Sequence, residues 1–205
     1  MKRILLSLAA IATALPAAQA ITFVVRPTVA YVNPEGGDRD AAGYLGVAAG
    51  IAIGAKGQHE FTAEIGFTGW DREKTSTVIR IKGTETYVPV LASYRFYLQP
   101  VDSKVRFYVT PSLGFTEVRY EAEVTQFGAL PGVVNEKGAT SAFTAAIGAG
   151  VDFHFNDKLS LSVGYRYLGI LDNNSGFVSP SHRDFAAVDG LAAHIVSVGL
   201  NIRFR

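Results

Sequence analysis

The sequence predicts an all-β fold: an eight-stranded antiparallel up-and-down transmembrane β-barrel, preceded by a cleavable signal peptide. Three observations predict it. Eight segments alternate between apolar and small or polar residues, short and long connections alternate along the chain, and aromatic residues gather at both ends of the segments. With 21 glycines and 18% charged residues, the chain is richer in glycine and poorer in charge than a typical soluble domain.

The first 20 residues have the pattern of a secretory signal. Lys2 and Arg3 form a charged start, residues 4–15 form a short apolar run, and Ala18-Gln19-Ala20 supplies a small-x-small cleavage site. Cleavage after Ala20 would leave 17 basic and 18 acidic residues, a net charge of −1. This charge excludes a nucleic-acid-binding function based on a strongly basic surface.

The barrel domain is predicted to span residues 21–205, and its period-two segments are the predicted strands. Most are at least as long as the 9–11 residues that a tilted strand needs to cross a bilayer. The segments are Thr22–Val32, Gly43–Gly54, Glu60–Trp70, Thr86–Leu98, Val105–Val118, Ala142–Phe155, Leu159–Ile170 and Ala193–Phe204.

The connections alternate in length. Those after the second, fourth and sixth segments are short: AKGQ, QPVDSK and NDK. Those after the first, third, fifth and seventh are long: NPEGGDRDAA, DREKTSTVIRIKG, RYEAEVTQFGALPGVVNEKG and LDNNSGFVSPSHRDFAAVDG. Short periplasmic turns and long outer loops are typical of outer-membrane barrels. Parts of the second and third long connections, STVIRIKG and YEAEVTQ, are suited to extend the strands beyond the membrane.

The aromatic residues form two predicted girdles at the water–lipid interfaces, on either side of a zone of Val, Ile, Leu and Ala. The girdle at the short-turn end comprises Phe23, Phe61, Phe96, Phe107, Phe153, Phe155 and Phe204. The girdle at the long-loop end comprises Tyr31, Tyr44, Phe67, Trp70, Tyr87, Phe115, Tyr120, Phe143, Tyr165 and Tyr167.

The apolar row of each segment is therefore expected to face lipid, while small and polar residues pack inside. The second segment places Gly46, Ala48 and Gly50 inward, and the fifth places Ser112 and Gly114 there. An eight-stranded barrel has an interior just wide enough for side chains to fill. A continuous wide channel is not expected.

Charged residues on the inward face predict a polar network that fills the lumen, because charges inside a barrel must pair or meet water. Glu64 and Arg95 lie on neighbouring strands and are the favoured pair. A purely structural plug is the favoured interpretation, and a salt-bridge gate in a narrow pore is the alternative. The predicted network is Arg26, Glu64, Arg95, Asp152, Arg166 and Arg203, with His154 on the same face.

No catalytic or metal site stands out in the sequence, and no cofactor is expected. Without cysteines, and with no H-x-x-x-H or H-E-x-x-H spacing, the chain has no recognisable set of metal ligands. SPSHRD places Ser181, His182 and Asp184 close together, but neighbours along one loop rarely converge in triad geometry. The protein is therefore not expected to be an enzyme. The four histidines are His59, His154, His182 and His194.

Three stretches resemble the small outer-membrane β-barrel family that includes the OmpA transmembrane domain and the opacity-type porin-family barrels. They are VPVLASYRFYL (88–98), RFYVTPSLGFT (106–116) and the terminal HIVSVGLNIRFR (194–205). The resemblance implies eight antiparallel strands, residence in the outer membrane and assembly by the barrel-insertion machinery. That machinery commonly recognises a final aromatic residue, whereas here Phe204 is followed by Arg205. No appended periplasmic domain is expected.

The expected function is a structural or surface-interaction role in the outer membrane, with four long extracellular loops displayed on a plugged barrel. The apolar stretch GALPGVV (128–134) either folds over the barrel mouth or contacts a host molecule. Expected partners are outer-membrane lipids, lipopolysaccharide, the assembly machinery and a host or surface ligand, with the protein monomeric. The alternatives are a narrow passive pore, a lipid-modifying enzyme and a soluble periplasmic ligand-binding barrel.

Overall fold

The computed structural model describes residues 21–35, 40–54, 57–75, 79–100, 102–126, 132–171 and 191–204, and the predicted signal peptide lies outside them. In these segments no helix has the length and hydropathy needed to span a membrane. The strands are β1 (Thr22–Pro34), β2 (Ala42–Ile53), β3 (His59–Thr75), β4 (Ile79–Tyr97), β5 (Val105–Gln126), β6 (Gly132–His154), β7 (Leu159–Ile170) and β8 (Leu191–Phe204).

The eight strands form one closed antiparallel sheet in chain order. β1 closes the barrel against β8, with Phe23 opposite Phe204 and Val29 opposite Val198. Closure gives the backbone N–H and C=O groups partners within the sheet and leaves no free edge, which a strand in hydrocarbon requires. The predicted fold is confirmed.

The apolar row of each strand faces outward, as predicted. Phe115 and Ile147 are 61% and 65% exposed on the outer surface, while Arg106 and Leu91 are 1% exposed inside. Outward residues of this kind would contact acyl chains in a membrane. The strict alternation arises because successive side chains of a strand point to opposite faces.

The middle four strands are much longer than predicted. β3 to β6 have 17, 19, 22 and 23 residues, against 12 to 14 in the other strands. Two of the four expected long loops are therefore largely strand. The expected extension of the strands is confirmed for residues 79–83 of STVIRIKG and for YEAEVTQ (120–126), which lie in β4 and β5. Cross-strand pairs of opposite charge, such as Glu73 opposite Lys82 and Glu121 opposite Lys137, support the extended ladder.

The barrel has two unlike ends. The short-turn end carries the connections 54–58, 98–104 and 155–158, and the long-loop end carries the extended hairpins β3–β4 and β5–β6. The extended hairpins project beyond the other four strands at the long-loop end. The interior also differs between the two ends. Charged and polar side chains fill the half near the short turns, and mainly apolar side chains, together with the buried Glu85, fill the half near the long loops.

Candidate functional site: the layered lumen

The half of the lumen near the short turns is filled by a network of buried polar side chains. Each of these side chains comes from the inward row of its strand. The side chains meet near the barrel axis because eight strands enclose only a narrow interior. The central members are Arg26, Glu60, Arg95, Tyr97, Asp152, Ser160, Ser162, Asn201 and Arg203.

Glu60 anchors one side of the network and is 0% exposed. Arg26 donates from Nη2 to Glu60 Oε1 and from Nε to Asn201 Oδ1. The Tyr97 hydroxyl oxygen lies 3.1 Å from Glu60 Oε2 and 2.8 Å from Asp152 Oδ2, so its single proton is shared between the two carboxylates. The sequence prediction missed Glu60, although it lies on the same face of β3 as Glu64 and the strand parity alone could have placed it inward.

Asp152 anchors the other side and is also 0% exposed. Its Oδ2 accepts hydrogen bonds from Tyr97 and from Asn201 Nδ2, both at 2.8 Å. Arg95 Nη1 donates to Oδ1 at 3.3 Å, and Arg203 Nη2 lies 3.7 Å from Oδ2. A buried carboxylate is tolerated only when cations balance its charge and hydrogen-bond donors satisfy its lone pairs in this way.

A separate ion pair crosses the lumen above this network. Arg166 donates from Nη1 to Glu64 Oε2 at 3.0 Å and from Nη2 to Oε1 at 2.8 Å, and Tyr44 donates to Oε1 at 2.6 Å. β3 and β7 face each other in an eight-stranded barrel, so this bidentate pair spans its interior.

The predicted Glu64–Arg95 pair is therefore wrong. The β3–β4 register places Arg95 opposite Glu60 and Leu91 opposite Glu64. Arg95 is thus four residues, or about 13 Å along the strand, from the position facing Glu64. Its guanidinium instead bonds to Asp152 and lies over the Tyr108 ring, with Cζ 3.6 Å from the ring centre.

Arg106 is a further luminal residue that the sequence prediction missed. It donates to the carbonyl oxygens of Gly57 at 2.6 Å and Gln99 at 3.3 Å, and its Cζ lies 3.8 Å from the centre of the Tyr97 ring. His154, predicted on the inward face, accepts at Nδ1 a hydrogen bond of 3.2 Å from Arg203 Nη1. Both residues line the short-turn mouth of the lumen.

The half of the lumen near the long loops is mainly apolar, and it also contains the buried Glu85, whose Oε2 accepts a hydrogen bond of 2.9 Å from the Tyr87 hydroxyl. Trp70 packs edge-on against Tyr87, with ring centres 4.8 Å apart, and both lie in a buried cluster. The other members of that cluster are Val32, Tyr44, Leu91, Val118, Ala142, Ala146, Leu168, Ile170, Leu191, Ala193 and Ile195.

Three predicted girdle residues are therefore placed wrongly by the sequence analysis. Trp70, Tyr44 and Tyr87 are only 5%, 3% and 2% exposed and fill the lumen. Each lies on the inward row of its strand. The alternation of inward and outward positions therefore decides where these side chains lie, and not the general preference of aromatic residues for a membrane interface. Predicted girdle residues that are exposed on the outer face are Phe23, Tyr31, Phe61, Phe67, Phe107, Phe115, Phe143, Phe153, Phe155, Tyr165, Tyr167 and Phe204, while Phe96 and Tyr120 are half-buried.

Among the described residues, the cavities found in these two layers are small. A cavity beside the Glu64–Arg166 pair has a volume of about 40 Å³, and one within the apolar layer has about 20 Å³. Each has room for a few water molecules at most. A larger cavity of about 260 Å³ opens at the short-turn mouth. Among the described residues, no three His, Asp or Glu side chains are grouped as metal ligands, and Ser181, His182 and Asp184 lie outside those residues.

Residues 4–204 match a family model described as outer membrane protein beta-barrel domain. The chain belongs to this family. The match confirms the resemblance found in the sequence and assigns the protein to the outer membrane. No curated protein matches the chain.

Solved structures share the fold at low identity. Neisserial surface protein A is 15% identical with a TM-score of 0.52, and the match covers 91% of this chain and 99% of that chain. Ail of Yersinia pestis, in complex with the heparin analogue sucrose octasulfate, is 14% identical with a TM-score of 0.51 and coverages of 90% and 98%. OprG of Pseudomonas aeruginosa is 12% identical with a TM-score of 0.50 and coverages of 91% and 97%.

Proposed function

We propose that this protein is a non-conducting outer-membrane barrel with a structural or surface-interaction role, not an open pore and not an enzyme. The observation that carries the proposal is the double obstruction of the lumen. An ion-pair layer and an apolar layer lie in series along the barrel axis, and the cavities measured within them are about 40 and 20 Å³. A solute would have to displace both layers in order to pass.

The extended hairpins are the surface on which an interaction role would depend. The outer face of β3 to β6 forms an open groove of about 920 Å³ at the long-loop end. Carboxylates outnumber lysines along it, so the groove would repel a polysulfate such as the one bound to Ail and would favour a cationic or neutral partner. The charged residues that line the groove are Asp40, Asp71, Glu73, Lys82, Glu121, Glu123 and Lys137.

Several finer features belong to the same proposal. The short turns would face the periplasm and the hairpins the cell exterior, as in other outer-membrane barrels. The exposed aromatic residues at both ends would form the interfacial girdles, in contact with lipid and lipopolysaccharide. Residues 1–20 would direct secretion, and the barrel-assembly machinery would insert the barrel into the outer membrane. The inserted protein would be a monomer.

Conductance in planar bilayers tests the closed lumen. The wild type should show no channel events, and neither should Arg166→Ala nor Trp70→Ala, because each change leaves the other layer intact. The double variant Arg166→Ala/Trp70→Ala should also stay silent, because the network around Glu60 and Asp152 still fills the lumen below the position of Arg166. Phe115→Ala, which removes a lipid-facing ring, is the matched control and should stay silent. Regular channel events from the wild type would overturn the proposal in favour of a narrow pore.

A shortened hairpin tests the surface role. Joining Glu117 to Ser141 by a two-residue turn removes the outer part of β5–β6 while leaving the membrane-spanning ladder in place. The shortened barrel should still migrate as a heat-modifiable band on gels, and binding of whole cells to a cationic surface should fall. Unchanged binding by the shortened barrel would exclude this hairpin as the contact surface.

A further inference from the structure

The short-turn half of the lumen contains more positive than negative charge. Four buried arginines, Arg26, Arg95, Arg106 and Arg203, share this space with two buried carboxylates, Glu60 and Asp152. Glu64 lies higher and is already engaged by Arg166. Buried charge without a counter-charge is costly, so this excess requires compensation from solvent or from a bound anion.

Among the described residues, Arg106 is the one of these four arginines that forms no ion pair with a carboxylate. It is 1% exposed, and its recorded bonds go to two backbone carbonyls, of Gly57 and Gln99. Carbonyl dipoles and the Tyr97 ring orient the guanidinium but do not supply a formal negative charge. Arg106 therefore provides a fixed positive charge at the short-turn mouth.

His154 provides an unused hydrogen-bond donor beside it. Its Nδ1 lies 3.2 Å from Arg203 Nη1, and an arginine only donates, so Nδ1 must accept. In the neutral ring the proton is then on Nε2. The Nε2 atom is buried and has no partner among the described residues. A buried N–H without an acceptor is unfavourable, and this one therefore calls for a further acceptor.

These groups line a single cavity of about 260 Å³, shared by Arg106, His154 and Arg203. The cavity also touches Gly57, Asp102 and Asp157, which lie in the three short turns, so it opens at the short-turn mouth. Asp102 and Asp157 are exposed, and water weakens their repulsion of an anion at the buried base of the cavity. Glu60 also lines the cavity, and its carboxylate is engaged by Arg26.

We propose that this cavity binds a small soluble oxyanion of the phosphate class, held by the guanidinium groups of Arg106 and Arg203 and by the Nε2–H of His154. Arginine suits this role because its planar donors match the oxygens of phosphate. The closed strand ladder separates the cavity from the surrounding lipid, which favours a soluble anion over a lipid headgroup.

NMR titration of the full barrel in phosphate-free, non-ionic detergent micelles tests the proposal, with inorganic phosphate as the probe and sodium chloride at equal ionic strength as the reference. Phosphate should produce saturable shifts in the His154 ring nitrogens and the Gly57 amide. Arg106→Gln should weaken binding at least tenfold. Arg119→Gln, which removes an exposed arginine paired with Glu117 on β5, should leave it unchanged.

A second variant separates loss of the site from loss of the fold. His154→Leu keeps all four arginines, removes the Nε2 donor, and should weaken phosphate binding while the barrel stays heat-modifiable. Egg phosphatidylcholine added to the micelles should give no such shifts if the site takes only a soluble anion. Shifts that fail to saturate, that chloride reproduces, or that persist unchanged in Arg106→Gln would each overturn the proposal.

Discussion

Replacing Asp152 with asparagine should destabilise the barrel strongly. The side chain keeps its size but loses its charge, and Arg95 and Arg203 then have no carboxylate at 3.3 and 3.7 Å. Asp152 is fully buried, so water cannot take its place easily. Removing one partner of a buried ion pair typically costs about 3–5 kcal/mol, and we expect a loss of unfolding free energy in this range.

Reversible urea unfolding in lipid vesicles measures this loss, with tryptophan fluorescence as the signal from Trp70. Asp102→Asn is the matched control, because it makes the same chemical change at an exposed turn position and should cost less than about 0.5 kcal/mol. A loss for Asp152→Asn as small as that of the control would show that the network does not depend on this carboxylate.

A second change distinguishes charge imbalance from simple loss of packing. In Asp152→Asn/Arg95→Gln the unpaired guanidinium is also removed, so the double variant should be less destabilised than the sum of the two single variants. Strict additivity would mean that Asp152 and Arg95 do not interact energetically, and the 3.3 Å contact between them would then contribute little.

Three further predictions follow from other parts of the barrel. Trp70→Ala should cost about 3–5 kcal/mol in urea unfolding followed by circular dichroism, because it leaves a cavity in the apolar layer. Ile147→Arg, on the lipid face, should cost about 2–4 kcal/mol in vesicles if that position lies near the bilayer midplane. The hydrogen bond from Arg80 lowers the pKa of Glu73, so this ion pair should stabilise the hairpin above the ordinary carboxylate pKa and be lost as the pH falls through the lowered value. NMR titration should show Glu73 returning toward its ordinary pKa in Arg80→Gln.

The strands and their orientation could be predicted because they depend on a local property. Alternation of Leu161 and Val163 with Ser160 and Ser162 fixes which face is apolar, whatever the neighbouring strands do. The same parity rule would also have placed Glu60 and Trp70 inside, had it been applied without exception. Glu60 was omitted and Trp70 was misplaced because residue type was given more weight than position within the strand.

The pairing partners could not be predicted from parity, because they depend on register and on the opposite wall. Glu64 meets Arg166, which lies 102 residues away on the facing strand. The alternation of residues within β3 and within β7 does not determine this contact between the two side chains. The extension of β5 through YEAEVTQ was expected, but the full lengths of β3 to β6 were underestimated, because polar residues such as Lys137 are typical of a loop when their cross-strand partners are unknown.

The two luminal layers respond to different perturbations, and this bears on whether the barrel could open. Salt and removal of charge act on the ion pairs around Asp152 and Glu64 but leave the contact of Trp70 with Tyr87 in place. Mutations that loosen the apolar layer leave the Arg166–Glu64 pair spanning the lumen. Because the layers lie in series, the free-energy costs of opening them add for any path along the axis. Conduction therefore requires every filled level of the lumen to open together, which is why neither the single variants nor the double variant Arg166→Ala/Trp70→Ala is expected to conduct.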